Sequence, residues 1–463
     1  MKRRALISLA LITLAGIATP ATSTAAPKLK RCDIGANKAF RCGHIKVPAV
    51  RGLPSLGKQK IGFAVRPRGD LSRPSKGAIV FVEGGPGYAA TNFDSIKAMG
   101  AVFAPFLKRH ELIAIDQRGT GRSEALLCGE LQRGRVPAYK ALKACAKKLG
   151  PGYQGYTTAE SAADVEAVRK AIGLPKSRMI LYGDSYGTYL GQSYAARYGD
   201  RLKALILSSA YPGNDPFWRT LYPAATNALR LACRRFPECR GDALGRFKRT
   251  LRRVGVSSGF TGNILSYLVG DAANYAPDGY RRLNSAVSAY LAGKPRRLRG
   301  LSDPGPPGSG PTRYFSEGMY AAVVCNDYPV VWNRASSVPE RRRQFRRAIA
   351  GFRPSNLFAP IPKATWMRDP ASDIDACITW PSPTDQMEPP IPVGQKMPGD
   401  LRTLVLAGEF DAITSVKEGR QVKRRFPRGR LFVVPNRGHV SELYYPFKSR
   451  ATGRIRRFMK NLD

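Results

Sequence analysis

Short β-rich runs alternate with helical patterns near both ends of this chain, and that rhythm limits the fold more than any other feature of its sequence. Between residues 60 and 207 the pattern predicts strands at 61–66, 78–82, 112–115, 179–182 and 204–207, with helices at 159–172 and 186–198. Past residue 400 it resumes, with strands at 401–407 and 431–434 and helices at 415–425 and 449–460. Strands joined through helix-length crossovers lie parallel, so the fold class is α/β with a mainly parallel sheet. From 211 to 398 the rhythm fades into helix-like segments at 218–236, 243–254, 280–291 and 313–324. These are broken by Asp303-Pro-Gly-Pro-Pro-Gly-Ser-Gly-Pro311 and by a proline-rich stretch from 354 to 398. The pattern predicts one sheet domain in two parts, 26–210 and 399–463, split by a large, mainly helical cap at 211–398. A hydrophobic content of 43% is enough to bury a core of that size.

The N-terminus reads as a targeting segment. Lys2, Arg3 and Arg4 precede an apolar run from Ala5 to about Ala18, and Ser23-Thr24-Ala25 supplies small residues for cleavage, as in a secretory signal peptide at 1–25. The run is shorter than the roughly 20 apolar residues a membrane-spanning helix needs, and no cysteine follows Leu14-Ala15-Gly16 to carry a lipid. The expectation is a secreted, soluble protein without a lipid anchor. Eight cysteines fit an oxidising compartment. Their spacing suggests the pairs Cys32 with Cys42, Cys128 with Cys145, Cys233 with Cys239, and Cys325 with Cys377, among the 105 connectivities that eight cysteines allow. With only His44, His110 and His439 beside them and no Cys-x-x-Cys spacing, no metal site is expected.

The net charge of +43 falls to +40 without Lys2, Arg3 and Arg4. The excess is spread over many arginine clusters, with no aromatic-interleaved nucleic-acid module, so no specific nucleic-acid partner is expected. A solvated arginine-rich surface is the plainer explanation, and association with anionic cell-wall polymer or a membrane surface the functional one.

The chemistry concentrates where the strand Met179-Ile-Leu-Tyr182 runs into Gly183-Asp184-Ser185-Tyr186-Gly187 and then a helix. A serine in that tight strand-to-helix turn exposes its oxygen, and glycines two positions to either side leave room for it. The same pattern recurs at Gly255-Val256-Ser257-Ser258-Gly259, but after a basic helical segment and before Phe260-Thr261-Gly262, which reads as turn. Ser185 is therefore the candidate nucleophile, with the Tyr186 N–H at a helix start as an oxyanion donor.

A serine needs a base. His439 follows the strand 431–434 through Pro435-Asn-Arg-Gly438, at the strand end where open parallel sheets place their sites. His44, near the first disulfide, and His110, before a strand, read as structural or solvent-facing. The acid to orient His439 comes from Gly408-Glu409-Phe410-Asp411, with Asp411 preferred over Glu409 for its loop position. The order Ser185, Asp411, His439 differs from those of the chymotrypsin and subtilisin classes. A second oxyanion donor is expected from Glu83-Gly84-Gly85-Pro86-Gly87 after strand 78–82, with Gly85 preferred and Gly84 next. The lysine and Ser/Thr of a phosphate-binding loop are missing there.

Together with Asp116-Gln-Arg-Gly-Thr-Gly-Arg-Ser123, Cys325-Asn-Asp327, Cys377-Ile-Thr-Trp380 and Asn436-Arg-Gly-His439, these motifs resemble those of the proline iminopeptidase and tripeptidyl aminopeptidase group of serine peptidases. The resemblance spans most of the chain, and it is closest to the secreted tripeptidyl aminopeptidase-like branch. It implies an α/β-hydrolase sheet domain under a helical cap, hydrolysis without a cofactor, and peptide substrates with a free N-terminus. It also favours pairing of Cys325 with Cys377. Proline iminopeptidases usually carry histidine where this chain has Glu83. That carboxylate is expected either to contact the substrate's α-ammonium or, the preferred reading in so basic a cluster, to pair with an arginine such as Arg118. Asp327 is the second candidate for the substrate's amine. A carboxylesterase or lipase using the same triad is the alternative activity. With neutral imidazole as base, activity is expected to fall below about pH 6.5.

Overall fold

The computed structural model describes residues 26–32, 34, 39–214, 219–239, 241–303, 309–368, 374–447 and 449–462. The signal-peptide expectation at 1–25 lies outside them. Nine strands form one sheet: β1 (Lys30–Arg31), β2 (Arg41–Pro48), β3 (Lys58–Arg66), β4 (Ala78–Val82), β5 (Glu111–Ile115), β6 (Met179–Asp184), β7 (Leu202–Ser208), β8 (Thr403–Gly408) and β9 (Gly429–Val434). Their order across the sheet is β1-β2-β3-β5-β4-β6-β7-β8-β9. β1, β2, β3 and β5 pair antiparallel, and from β5 to β9 every pair is parallel.

Between β3 and β8 run the helices α1 (Phe93–Phe103), α2 (Gly129–Arg133), α3 (Ala138–Leu149), α4 (Thr158–Ala171), α5 (Tyr186–Tyr198), α6 (Leu221–Arg235), α7 (Ala243–Val254), α8 (Gly259–Val269), α9 (Asp271–Asn274), α10 (Asp278–Leu291), α11 (Arg296–Leu301), α12 (Glu317–Asp327), α13 (Val338–Gly351) and α14 (Lys363–Trp366). After β8 come α15 (Val416–Arg425), α16 (Ser441–Tyr444) and α17 (Arg450–Lys460).

The parallel strands β4 to β8 are buried on both faces, which is why they read as continuous apolar runs rather than alternating ones, whereas β9 at the sheet edge is half-buried. One face carries Ile79, Phe81, Ile180, Tyr182 and Ile206 against Ile96 and Met99 of α1 and Ile455 of α17. The other carries Val80, Val82, Leu181, Leu205 and Leu207 against Leu190 of α5, Val165 of α4 and the helices α6 to α12. Each such side chain, removed from water, contributes about 1.5–3 kcal/mol.

The expected parallel strands and their crossover helices are present within a few residues of their predicted ends. Three features differ from expectation. The strands β1 and β2 at one end of the sheet went unread, β2 because Arg41, His44 and Lys46 break any apolar pattern there. Residues 260–262, read as turn, lie inside α8, whose start is set by Ser258 accepting the Thr261 N–H at 3.1 Å. Finally, α2 and α3 lie in the segment assigned to the first part of the sheet domain but dock on the cap. Gln132 Nε2 donates to the Gly310 and Phe315 carbonyls, and Gly318 of α12 packs on Leu126.

The four disulfides are Cys32–Cys42, Cys128–Cys145, Cys233–Cys239 and Cys325–Cys377, the pairs that spacing suggested. Among the described residues no helix is long and apolar enough to cross a membrane.

Candidate active site

The C-terminal ends of β4, β6, β7, β8 and β9 lie side by side, and the loops leaving them carry the predicted chemistry. Ser185 stands between β6 and α5 with φ +49° and ψ −122°, a conformation costly for a residue with a Cβ. Its backbone is pinned on both sides: its N–H donates to the Ser208 carbonyl at 2.9 Å, and its carbonyl accepts from the Thr188 hydroxyl at 2.6 Å. The flanking glycines are required by close approach. A Cβ on Gly183 would stand 2.2 Å from the Gly187 carbonyl oxygen, and one on Gly187 would stand 2.6 Å from that of Val82. Tyr186 opens α5, so its N–H lies at the positive end of a helix.

The loop after β4 is pressed against this turn. A Cβ on Gly84 would meet the Ser185 Cβ at 2.8 Å, and Gly85 adopts φ +104°, which only glycine tolerates well. Gln117 Nε2 holds the Glu83 carbonyl at 2.5 Å. From above, the cap fixes the same loop: Ser316 donates its N–H to the Gly87 carbonyl at 3.0 Å, and the rings of Tyr88 and Phe315 lie 4.6 Å apart.

Asp411 and His439 meet across β8 and β9. His439 Nδ1 lies 3.1 Å from Asp411 Oδ1 and 3.0 Å from Oδ2. Asp411 also accepts the Ile413 and Thr414 N–H groups, both at 2.9 Å, and the Thr414 hydroxyl at 2.9 Å. A carboxylate so saturated stays put and fixes the ring it faces. The histidine loop is held as firmly. The His439 N–H donates to the Ala273 carbonyl of α9 at 3.1 Å, and Val440 adopts φ +43° while giving its N–H to Ser209 Oγ at 2.8 Å. A β-branched residue in that region is rare and marks a constrained site.

Of the two acids after β8, Asp411 is the one that faces His439. Glu409 is taken by Arg235 of α6 through two bonds of 2.5 Å, and that arginine also reaches Asn436 at 2.7 Å. Tyr280 of α10 donates to the Phe410 carbonyl, so the cap grips this loop too. Of the other histidines, His110 is buried with Nδ1 at 3.2 Å from the Phe106 carbonyl, and His44 lies in β2.

One expectation about an acidic residue changes. Glu83 does not pair with Arg118. That guanidinium is fully buried on Asp164, at 2.7 and 2.8 Å, and on Glu160 at 3.0 Å, and it donates to the Ala49 and Gly155 carbonyls. Glu83 lies instead in the buried layer beside Asp184, where burial pushes its carboxyl up. Asp327, at the end of α12, accepts the Thr158 N–H at 2.5 Å where α4 begins, and burial pushes its carboxyl up to about 6. Tyr186 and Tyr189 are its aromatic neighbours, and both phenols are pushed up, first by burial and then by the Asp327 charge. Sequence reasoning missed Gln117, Thr414, Ser209 and the cap residues Ala273, Tyr280 and Arg235. Gln117 lies inside a motif that had been noted for its resemblance alone. The others carry no local signal.

The chain is also similar to known hydrolases. Residues 77–254 match the family model for the α/β-hydrolase fold, and residues 363–459 match a model described as TAP-like protein, which starts inside the cap. The chain is 25% identical over 456 residues to tripeptidyl aminopeptidase of Streptomyces coelicolor, covering 87% of this chain and 77% of that protein. It is 25% identical over 421 residues to serine protease Hip1 of Mycobacterium tuberculosis, covering 79% and 75% respectively. A shorter match, 30% identical over 142 residues, links it to proline iminopeptidase of Neisseria gonorrhoeae, covering 31% of this chain and 35% of that protein.

Proposed function

From the premise that this chain is a serine hydrolase of the α/β-hydrolase fold, homologous to tripeptidyl aminopeptidase, we propose that it is a secreted aminopeptidase releasing short peptides from a free N-terminus through an acyl-enzyme on Ser185. The observation that supports this best is the strained Ser185 turn beside Gly84, on the same sheet edge as the Asp411–His439 pair. In this reading His439, its Nδ1–H held by Asp411, takes the Ser185 proton on Nε2 as the oxygen attacks the peptide carbonyl. The Tyr186 and Gly85 N–H groups receive the oxyanion. Collapse expels the amine, which takes the proton from His439, and water repeats the sequence on the acyl-enzyme.

Asp327 is assigned the substrate's α-ammonium. Its carboxyl must be ionised for that task, so binding of free-amine substrates weakens as pH falls through about 6. Asp327→Asn is expected to raise KM for free-amine substrates and to leave reaction of Ser185 with an N-blocked ester within about twofold. Secretion is supported by the N-terminal segment at 1–25 and by the four disulfides. Association with anionic cell-wall polymer or a membrane surface rests on the charge of +43 alone.

The test is hydrolysis of matched chromogenic substrates: free-amine mono- and tripeptidyl amides, their N-blocked versions, and a short acyl ester. Preference for free-amine amides, abolished by Ser185→Ala, is expected, with the tripeptidyl amide fastest. Turnover of the ester alone would make the protein an esterase on the same triad and overturn the peptidase reading.

A further inference from the structure

The structure holds two carboxyl groups beneath the site that the mechanism above does not use. β4 and β6 are paired in register, Val82 opposite Gly183, so the next residues, Glu83 and Asp184, leave the two strand ends side by side. Side chains alternate along a strand. Glu83 therefore shares the face of Phe81, and Asp184 that of Tyr182, the face covered by α1 and α17. Glu83 is 5% exposed and Asp184 3%, and neither enters a salt bridge among the described residues. Asp184 Oδ1 finds no hydrogen-bond donor there. Two acids this close and this dry cannot both be ionised.

We propose that Glu83 and Asp184 share one proton, the Asp184 O–H donating to the Glu83 carboxylate, and that this carboxyl pair clamps the oxyanion loop to the nucleophile turn. Both are thereby positioning residues for Ser185, and in that respect the proposal rests on the function proposed above. The residues that follow them in the chain are Gly84-Gly85 and Ser185-Tyr186, so the clamp fixes the distance between the nucleophile and both oxyanion donors. The Gly84 N–H and the Ser95 hydroxyl occupy further acceptor positions on Glu83.

The surroundings favour one proton on the pair, and among the described residues no cation lies within salt-bridge distance of either acid to replace it. Asp116 at the end of β5 and Glu442 of α16 face it as acids, Tyr182 donates to Glu442 at 2.7 Å, and Tyr88 and Tyr444 feel the pair's charge from the loop and from α16. His439 faces Glu442 from the next loop. Asp184 lies well above the usual carboxylate range, first through burial and then through the charges of Glu83 and Glu442. Raising the pH removes the shared proton and sets two carboxylates against each other, so Ser185 reactivity acquires an alkaline limb that belongs to this pair. A folded-state pKa raised above the unfolded one also means that stability declines as pH rises through it.

The experiment measures the rate at which a fluorophosphonate labels Ser185 between pH 6 and 11 in the wild type, Asp184→Asn and Asp184→Ala, with melting temperature recorded over the same range. The probe needs no peptide recognition, so a failure of the aminopeptidase reading does not touch it. Asp184→Asn keeps an N–H donor for Glu83 but cannot ionise. It is expected to label at near the wild-type neutral rate while losing both the alkaline fall in labelling and the alkaline fall in melting temperature. Asp184→Ala is expected to label at least tenfold more slowly at neutral pH, through kcat rather than KM with any substrate found. An alkaline limb unchanged in Asp184→Asn would overturn the proposal, as would wild-type labelling in Asp184→Ala. If Ala fails to fold, the Asn profile decides. If the wild type is not labelled at all, the proposed nucleophile fails, and the melting curves alone test the shared proton. A rise in KM confined to free-amine substrates in Glu83→Gln, with labelling unchanged, would make Glu83 the amine contact and sink the clamp.

Discussion

Gly183-Asp184-Ser185-Tyr186-Gly187 and Gly255-Val256-Ser257-Ser258-Gly259 spell the same pattern, and the fold treats them in opposite ways. The first joins a fully buried strand to a helix. Its glycines are squeezed against backbone on both sides, its serine sits at φ +49°, and the Asp411–His439 pair lies on the same sheet edge. The second joins two cap helices. Ser257 is exposed and bonds the Thr365 hydroxyl at 3.1 Å, Ser258 caps α8, and a Cβ on Gly259 would meet nothing within 4 Å. A glycine–serine–glycine spacing therefore acquires chemical meaning from the strand before it and from the backbone that crowds its glycines.

Substitutions test that contrast by size of effect. Ser185→Ala should lower the hydrolytic rate on the order of 10⁴-fold or more, whereas Ser257→Ala should leave it unchanged. Gly187→Ala forces a Cβ against the Val82 and Glu83 carbonyls. It should cost about 1–3 kcal/mol in denaturant unfolding and lower kcat with it. Ser258→Ala removes the α8 cap and should cost about 1 kcal/mol of stability without touching kcat. Gly259→Ala should stay within about 0.5 kcal/mol of the wild type. Equal costs for Gly187→Ala and Gly259→Ala would remove the structural distinction between the two motifs.

Much of the parallel sheet was legible because a strand buried on both faces must be apolar throughout and because turn residues bound each run. Ser185, Asp411 and His439 were legible as positions for a related reason: each follows such a strand, and the strand order brings their loops together. What eluded the sequence depends on contacts far along the chain. Glu409 and Asp411 are separated as candidates by Arg235, 174 residues upstream of Glu409. The partner of Glu83 is set by the register of β4 on β6, which no local pattern reveals, so Arg118 was a natural but mistaken choice. The helix α8 was hidden by Gly259 and Gly262, although Ser258 three residues before Thr261 was a readable start signal. The grip of the inserted helical region on the 85–89, 409–411 and 438–439 loops was not readable either, and it makes that region part of the site's scaffold.

The central claim is that the fold makes one of these two serines a nucleophile, and site mapping of a fluorophosphonate adduct by peptide mass spectrometry tests it most directly. The adduct is expected on the peptide containing Ser185, with none on the peptide containing Ser257 and none anywhere in Ser185→Ala. Label on Ser257, or undiminished label in Ser185→Ala, would contradict the account.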